Sequence, residues 1–187
     1  MAKTLSSSAW VQKFPNSTST DDLVDPFKSN AKKFIAALRK SGATVAINAT
    51  LRPKERVYLM YWSFKIAGGW DPEKAEEMAG VGIEWVHRDA YGKKDIAASK
   101  AAAGTMVAGY GIAYEPAKIS RHSAGTAIDM DIAWSAGTFK ITDGAGKDVT
   151  IKSTPKGGGN TDLHLVGKSY GVIKLVSDPP HWSSDGH

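Results

Sequence analysis

The sequence predicts an α+β fold, a small antiparallel sheet with helices packed on it. Three observations point there. Helix-period apolar patterns recur through the first 110 residues. Strand-like alternation appears from Thr126 onward. The turn signal Asp143-Gly144-Ala145-Gly146-Lys147 then separates two short alternating runs. Helices first and strands afterwards suit α+β with an antiparallel sheet. At 187 residues the chain is long enough for a real core and suits one domain, 1–187.

The elements follow in order. Residues 1–26 are rich in Ser, Thr, Asp and Pro, with Trp10, Val11, Phe14 and Leu23 as apolar anchors, and read as an extended, partly ordered lead-in. Asp25 and Pro26 supply a cap and a first helical position for a helix to about Lys40. Its Phe27, Ala31, Phe34, Ile35 and Leu38 share one face, and Ser41-Gly42 ends it. Ala43 to Asn48 reads as a strand with Val45 and Ile47 on one side. Thr50-Leu51-Arg52-Pro53 turns into an aromatic helix to Ala67, in which Tyr58, Tyr61 and Trp62 are core, and Gly68-Gly69 stops it. Asp71-Pro72 opens a short helix through Met78, and residues 83–87 are extended. A further helix covers about Lys94 to Gly109. Thr126 to Ala133 alternates as a central strand. Residues 138–142 and 148–151 flank the turn as a hairpin. A short helix from about Asn160 to Tyr170 leads through Gly171 into residues 172–176, and the chain closes on Asp178-Pro179-Pro180-His181-Trp182. No repeat and no linker divides it.

Composition narrows the chemistry. There is no cysteine, which excludes disulfides and thiolate metal sites, so any metal must be held by His and carboxylate. The net charge of +5 favours a polyanionic partner, an acidic cell-wall polymer among them. The basic residues are scattered, as in Lys32-Lys33, Arg39-Lys40 and Lys93-Lys94, which is the pattern of a solvated surface and not of a nucleic-acid patch. No apolar run approaches the roughly 20 residues that span a bilayer. The first eight residues lack the apolar core of a secretory signal, so the expectation is a protein made in the cytoplasm and not exported by its own leader. Separately, a monomer is expected.

Two stretches carry chemistry. Ser120-Arg121-His122-Ser123-Ala124-Gly125-Thr126-Ala127-Ile128-Asp129-Met130-Asp131-Ile132 sets a histidine and an acid seven residues apart around a glycine. If its first residues are extended, Ser120 and His122 share a face. Asp129 and Asp131 share one face of the strand, and Ile128, Met130 and Ile132 the other. Gly125 lets the backbone turn so that His122 and an acid can point at one ion. Two acids on one side of an apolar strand are costly if buried and unpaired. A metal offsets that cost, and so does plain exposure; periodicity leaves Asp129 and Asp131 equivalent. In the second stretch Pro179 and Pro180 stiffen the link between Asp178 and His181. A rigid carboxylate beside a metal-bound water can take its proton and pass it to a leaving amine; an ordinary surface turn is the plainer alternative. His87 and His164 have no partner at ligand spacing and read as structural or surface residues. His187 is terminal and mobile.

The pattern Ser-x-His-x-x-Gly-x-Ala-x-Asp followed by acid-x-x-His-Trp resembles the zinc peptidases of the D-alanyl-D-alanine carboxypeptidase type. That group includes D-Ala-D-Ala dipeptidases and the L-alanyl-D-glutamate endopeptidases of phage endolysins. Ser120, His122, Gly125, Ala127 and Asp129 fall on the first motif, and Asp178, His181 and Trp182 on the second. The resemblance, which spans residues 32 to 182, implies a hedgehog/D-Ala-D-Ala peptidase-like fold with Zn2+ on the sheet, held by His122, Asp129 and His181. It implies Asp178 as general base and acid, an aspartate being more like the endolysin endopeptidases. It implies Arg52 as the residue that binds a substrate carboxylate or steadies the transition state, although Pro53 stands where the family has serine. Ser120 and Trp182 would contact substrate. Residues 135–159 have no counterpart in that family and are expected to be a hairpin and loop insertion that shapes the groove. The implied function is hydrolysis of peptidoglycan stem peptides, after release through a holin or a secretion apparatus. A D-Ala-D-Ala dipeptidase or carboxypeptidase, or a non-catalytic wall-binding or phage structural module, is the alternative. No nucleic-acid partner and no membrane insertion are expected.

Overall fold

The computed structural model describes residues 2–135 and 137–187. Met1 of the lead-in and Ala136 of the 135–159 insertion lie outside the described residues. In chain order the elements are β1 (Thr4–Leu5), α1 (Phe27–Lys40), β2 (Thr44–Ala49), α2 (Lys54–Ala67), β3 (Ile83–Glu84), α3 (Ile96–Tyr110), β4 (Ala127–Ala133), β5 (Phe139–Thr142), β6 (Asp148–Ile151), α4 (Thr161–Ser169), β7 (Ile173–Lys174) and β8 (His181–Ser183). Helices and small, mainly antiparallel sheets make the class α+β. Among the described residues no helix is long and apolar enough to cross a membrane. The chain divides into two compact units. One comprises the chain up to Pro15 with Pro53–Ser120; the other comprises Asn16–Arg52 with Arg121–His187.

In the first unit α2 and α3 pack together, and Trp10, Leu59, Trp62, Ile66, Ile83, Trp85 and Met106 form the core. Each such side chain buried contributes about 1.5–3 kcal/mol. Asp95 caps α3 by accepting from Ala98 N at 2.8 Å. Gly109 lets α3 approach the lead-in: a Cβ there would stand 2.8 Å from Val11 Cγ2. Two expectations change here. The helix through Met78 shrinks to a single 3-10 turn, Pro72–Lys74, which Asp71 caps at Glu73 N (3.1 Å). Gly80, at φ 88°, then turns the chain toward β3, which pairs in parallel with β1. The lead-in is thus ordered, because Trp10 and Val11 are buried and β1 has a partner.

In the second unit the sheet order is β2-β4-β8-β7, antiparallel throughout. β4 is central, as its alternation predicts. Ile128, Met130 and Ile132 face a core with Phe34, Leu38, Leu163, Val166 and Trp182. The five predicted face residues of α1 are all buried. The β5–β6 hairpin forms as expected, closed by Asp143 Oδ1, which accepts from Ala145 N and Lys147 N, each at 2.9 Å. Phe139, Ile141 and Ile151 of this hairpin are buried in the same core, so this part of the insertion contributes packing. Residues 172–176 yield only the two-residue β7, and the three-residue β8 is an element that the Pro-Pro sequence did not suggest.

Candidate metal centre

Strand register brings two of the predicted ligands together. Asp129 of β4 is paired directly with His181 of β8, so their side chains stand on the same face. That face is opposite to the one on which Ile128 and Trp182 pair and enter the core. His122 arrives on a turn, not on extended backbone. Gly125 N donates to the His122 carbonyl (3.2 Å) and Thr126 N to the Arg121 carbonyl (2.8 Å). Gly125 sits at φ 69°, where a side chain is strained, and a Cβ there would come within 3.2 Å of Val24 Cγ1. Arg52 N donates to the His122 carbonyl at 3.1 Å, which ties the turn to the segment that follows β2.

The three donor atoms form a nearly equilateral triangle. His122 Nε2 and His181 Nδ1 each lie 3.1 Å from Asp129 Oδ1, and 3.2 Å from each other. Ligands about 2.0–2.1 Å from a tetrahedral ion stand roughly 3.3 Å apart, so the triangle fits one face of such a site. Among the described residues this is the one group of three or more His, Asp or Glu close enough to hold a metal ion together.

The outward ring nitrogens define which atoms face inward. His122 Nδ1 is 2.6 Å from the Thr50 carbonyl, and His181 Nε2 is 3.2 Å from the main-chain oxygen of His187. An oxygen of this kind only accepts, so both outward nitrogens carry the hydrogen. In the neutral rings the inward nitrogens therefore hold lone pairs, which point at each other and at a carboxylate. Three electron-pair donors at this spacing repel unless a cation sits among them. Outward bonds to main-chain oxygens are also how metal-bound histidines are commonly oriented. Thr50 is itself fully buried and anchored, its N donating to the Ser17 carbonyl at 2.7 Å. Burial pushes the Asp129 carboxyl up, but the His122 and His181 rings beside it, which donate hydrogen bonds to it and add charge whenever they are protonated, outweigh burial. They hold the group well below the usual carboxylate range, so Asp129 is ionised.

The remaining predicted residues are distributed as follows. Asp131, which shares the Asp129 face, is exposed and accepts from Asn48 Nδ2 at 2.8 Å, outside the triad. Asp178 is exposed on the turn before β8; its N donates to the Leu175 carbonyl and its carbonyl accepts from His181 N. Arg52 is half-buried, three residues beyond the end of β2. Ser120 precedes the turn at 121–125; since His122 is not on extended backbone, the expectation that the two share a strand face falls. Trp182 is corrected too. Its ring is 0% exposed and packs 5.5 Å from Phe34 and 5.6 Å from His164, so it belongs to the core and offers no surface to a substrate. His87 is structural, with Nε2 3.0 Å from Ser6 Oγ. His187 is held by its main chain, its N donating to Ser183 Oγ at 3.1 Å, and is not a loose end.

Sequence reasoning missed four supports. The Thr50 carbonyl and the His187 oxygen are main-chain groups and leave no trace in side-chain patterns. Arg121 makes a two-pronged ion pair with Asp185 (Nη2–Oδ2 2.5 Å, Nε–Oδ1 3.1 Å), joining the His122 turn to the segment after β8. The pair holds the Asp185 carboxyl below its ordinary range. Lys174 is buried beneath the Asp178 turn. Burial pushes its ammonium down, and the charges of Asp178 and Asp129 act against that. Cavities of about 270 Å³ beside Tyr58 and Trp85 and about 330 Å³ beside α4 lie elsewhere; no triad residue lines either. Comparison with protein-family models, with curated proteins and with solved structures finds no match to this chain.

Proposed function

We propose that the protein is a zinc-dependent peptidase acting on the stem peptides of peptidoglycan, in the manner of an endolysin endopeptidase. One observation carries the reading: two imidazole lone pairs and an ionised carboxylate face one another at 3.1–3.2 Å, with their outward nitrogens already bonded to main-chain oxygens. Two imidazoles and one carboxylate, from His122, His181 and Asp129, would hold zinc with the three-ligand donor set of catalytic sites, whereas structural sites are closed by four protein ligands. Bound there, zinc supplies a Lewis acid that polarises a carbonyl and acidifies water. The chain's own groups do the rest. Asp178, exposed three residues before His181, accepts the proton of the attacking water and returns it to the departing amine. Arg52, tied through its main chain to His122, stabilises the negative charge that develops on the carbonyl oxygen. The motif resemblance selects the substrate class, and the net charge of +5 suits an anionic wall.

The test is wall digestion by purified protein, with and without chelator, followed by mass spectrometry of the fragments and metal analysis of the protein. New L-Ala or D-Ala termini, lost on chelation and restored by zinc, support the proposal. Digestion that ignores the chelator, or intact walls with the metal bound, overturns it.

A further inference from the structure

We propose that Lys174 is a positioning residue: its buried ammonium gathers the carbonyls of Leu175, Asp178 and His181 and so holds the turn that presents Asp178 and His181. The inference rests on the reading of His181 as a metal ligand and Asp178 as a proton carrier. Lys174 is only 8% exposed. Its Nζ donates to the Leu175 carbonyl, to the Asp178 carbonyl at 2.5 Å and to the His181 carbonyl at 3.1 Å. An ammonium has three N–H bonds, and each has a carbonyl within reach.

The placement is not what a stable core alone would select. Lys174 pairs with Trp182, which pairs with Ile128, so it emerges on the apolar face of the sheet, 5.7 Å from the Trp182 ring. A cation there loses its hydration, and an apolar side chain of similar length would avoid that cost. What an apolar side chain cannot do is satisfy the turn. Pro179 and Pro180 bring no N–H to it, so residues 175–181 have more carbonyls than donors. The backbone bonds Asp178 N to Leu175 O (3.2 Å), His181 N to Asp178 O (3.1 Å) and Leu175 N to His181 O (3.1 Å) leave each of these oxygens a second lone pair, which Lys174 takes. His181 is thereby fixed at both ends. Lys174 holds its carbonyl, while the His187 oxygen and the triad hold its ring. Displacements on the order of 1 Å are enough to disable a site of this kind, which is why supports behind the ligands matter.

The chain has no cysteine, so a Lys174→Cys variant carries a single thiol. Alkylation with 2-bromoethylamine in denaturant, then refolding, rebuilds a lysine-like side chain with sulfur in place of one methylene. The parent, Lys174→Met, and Lys174→Cys before and after alkylation are compared by three readouts. These are zinc affinity against a competing chelator, the visible spectrum of the Co2+-loaded protein, and amide exchange at Asp178, His181 and Met130. Met130 N donates to the Pro180 carbonyl at 2.8 Å and reports the same turn. In Lys174→Met, zinc affinity is expected to fall about 10–100-fold, as when a support behind a ligand is lost. The cobalt spectrum is expected to change, and the three amides to exchange at least about tenfold faster than in the parent, while the β2–β4 amides hold; alkylated Lys174→Cys should recover all three readouts. If Lys174→Met does not fold, Lys174→Gln takes its place under the same criteria. Affinity, spectrum and exchange like the parent's in the folded variant overturn the inference. A parent that binds no divalent ion defeats the metal reading instead, and the exchange measurement then decides the role of Lys174 by itself.

Discussion

Zinc should raise the melting temperature of this protein, and Asp129→Ala should abolish most of that rise. On the proposed reading the ion binds the folded triad, whose donors are brought together from positions 122, 129 and 181, and such a cluster does not persist in an unfolded chain. At free zinc about 100 times Kd the stabilisation is about 2.7 kcal/mol. A chain of this length shifts about 2–4 °C per kcal/mol, which gives a rise of about 5–11 °C. Asp129 contributes the negative charge of the triad and touches both imidazoles at 3.1 Å. Loss of a ligand should cost at least the roughly 100-fold that loss of a ligand's support can cost. At the same zinc concentration the variant then gains about 0.4 kcal/mol and rises about 1–2 °C. Differential scanning calorimetry in zinc-buffered and chelator-containing solutions measures both values. An equal rise in Asp129→Ala and in the parent would refute the reasoning, and so would a parent that ignores zinc.

Three further outcomes follow. Asp178→Ala should lose about 100- to 10,000-fold in wall-digestion rate, the usual contribution of a general acid–base, with metal content and melting temperature unchanged; turbidity clearing and metal analysis check this. Asp129 is held below its unfolded value, so its stabilising contribution is complete above about pH 4 and is lost as pH falls through the folded value. In chelator, denaturant midpoints should therefore fall on acidification below about pH 4 more steeply for the parent than for Asp129→Asn. Gly109→Ala should cost about 1–3 kcal/mol, because the added methyl meets Val11 Cγ2 at 2.8 Å, and should leave zinc affinity untouched.

The candidate metal triad was legible because its chemistry is written in side-chain types at readable spacings. His122, Gly125 and Asp129 surround a turn and a strand, and His181 follows two prolines. The helices were legible through their apolar faces, as in Phe27, Ala31, Phe34, Ile35 and Leu38. What escaped depends on non-local pairing. β8 is three residues long and acquires its strand character from β4 and β7, not from its own sequence. Trp182, assigned to substrate by its motif position, is drawn into the core because its neighbour His181 takes the opposite face. Lys174 is charged and would be read as exposed; only the fold shows the carbonyls above it. The two compact units escaped because the chain passes between them at 15/16, 52/53 and 120/121, with no long flexible linker at any crossing.

The most direct measurement is X-ray absorption at the zinc edge on protein loaded with one equivalent of zinc. The account predicts nitrogen and oxygen neighbours at about 2.0 Å, with the outer-sphere scattering of two imidazoles, and a loss of one imidazole in His122→Ala and again in His181→Ala. Zinc coordinated without imidazole, or a spectrum unchanged by both substitutions, would contradict it.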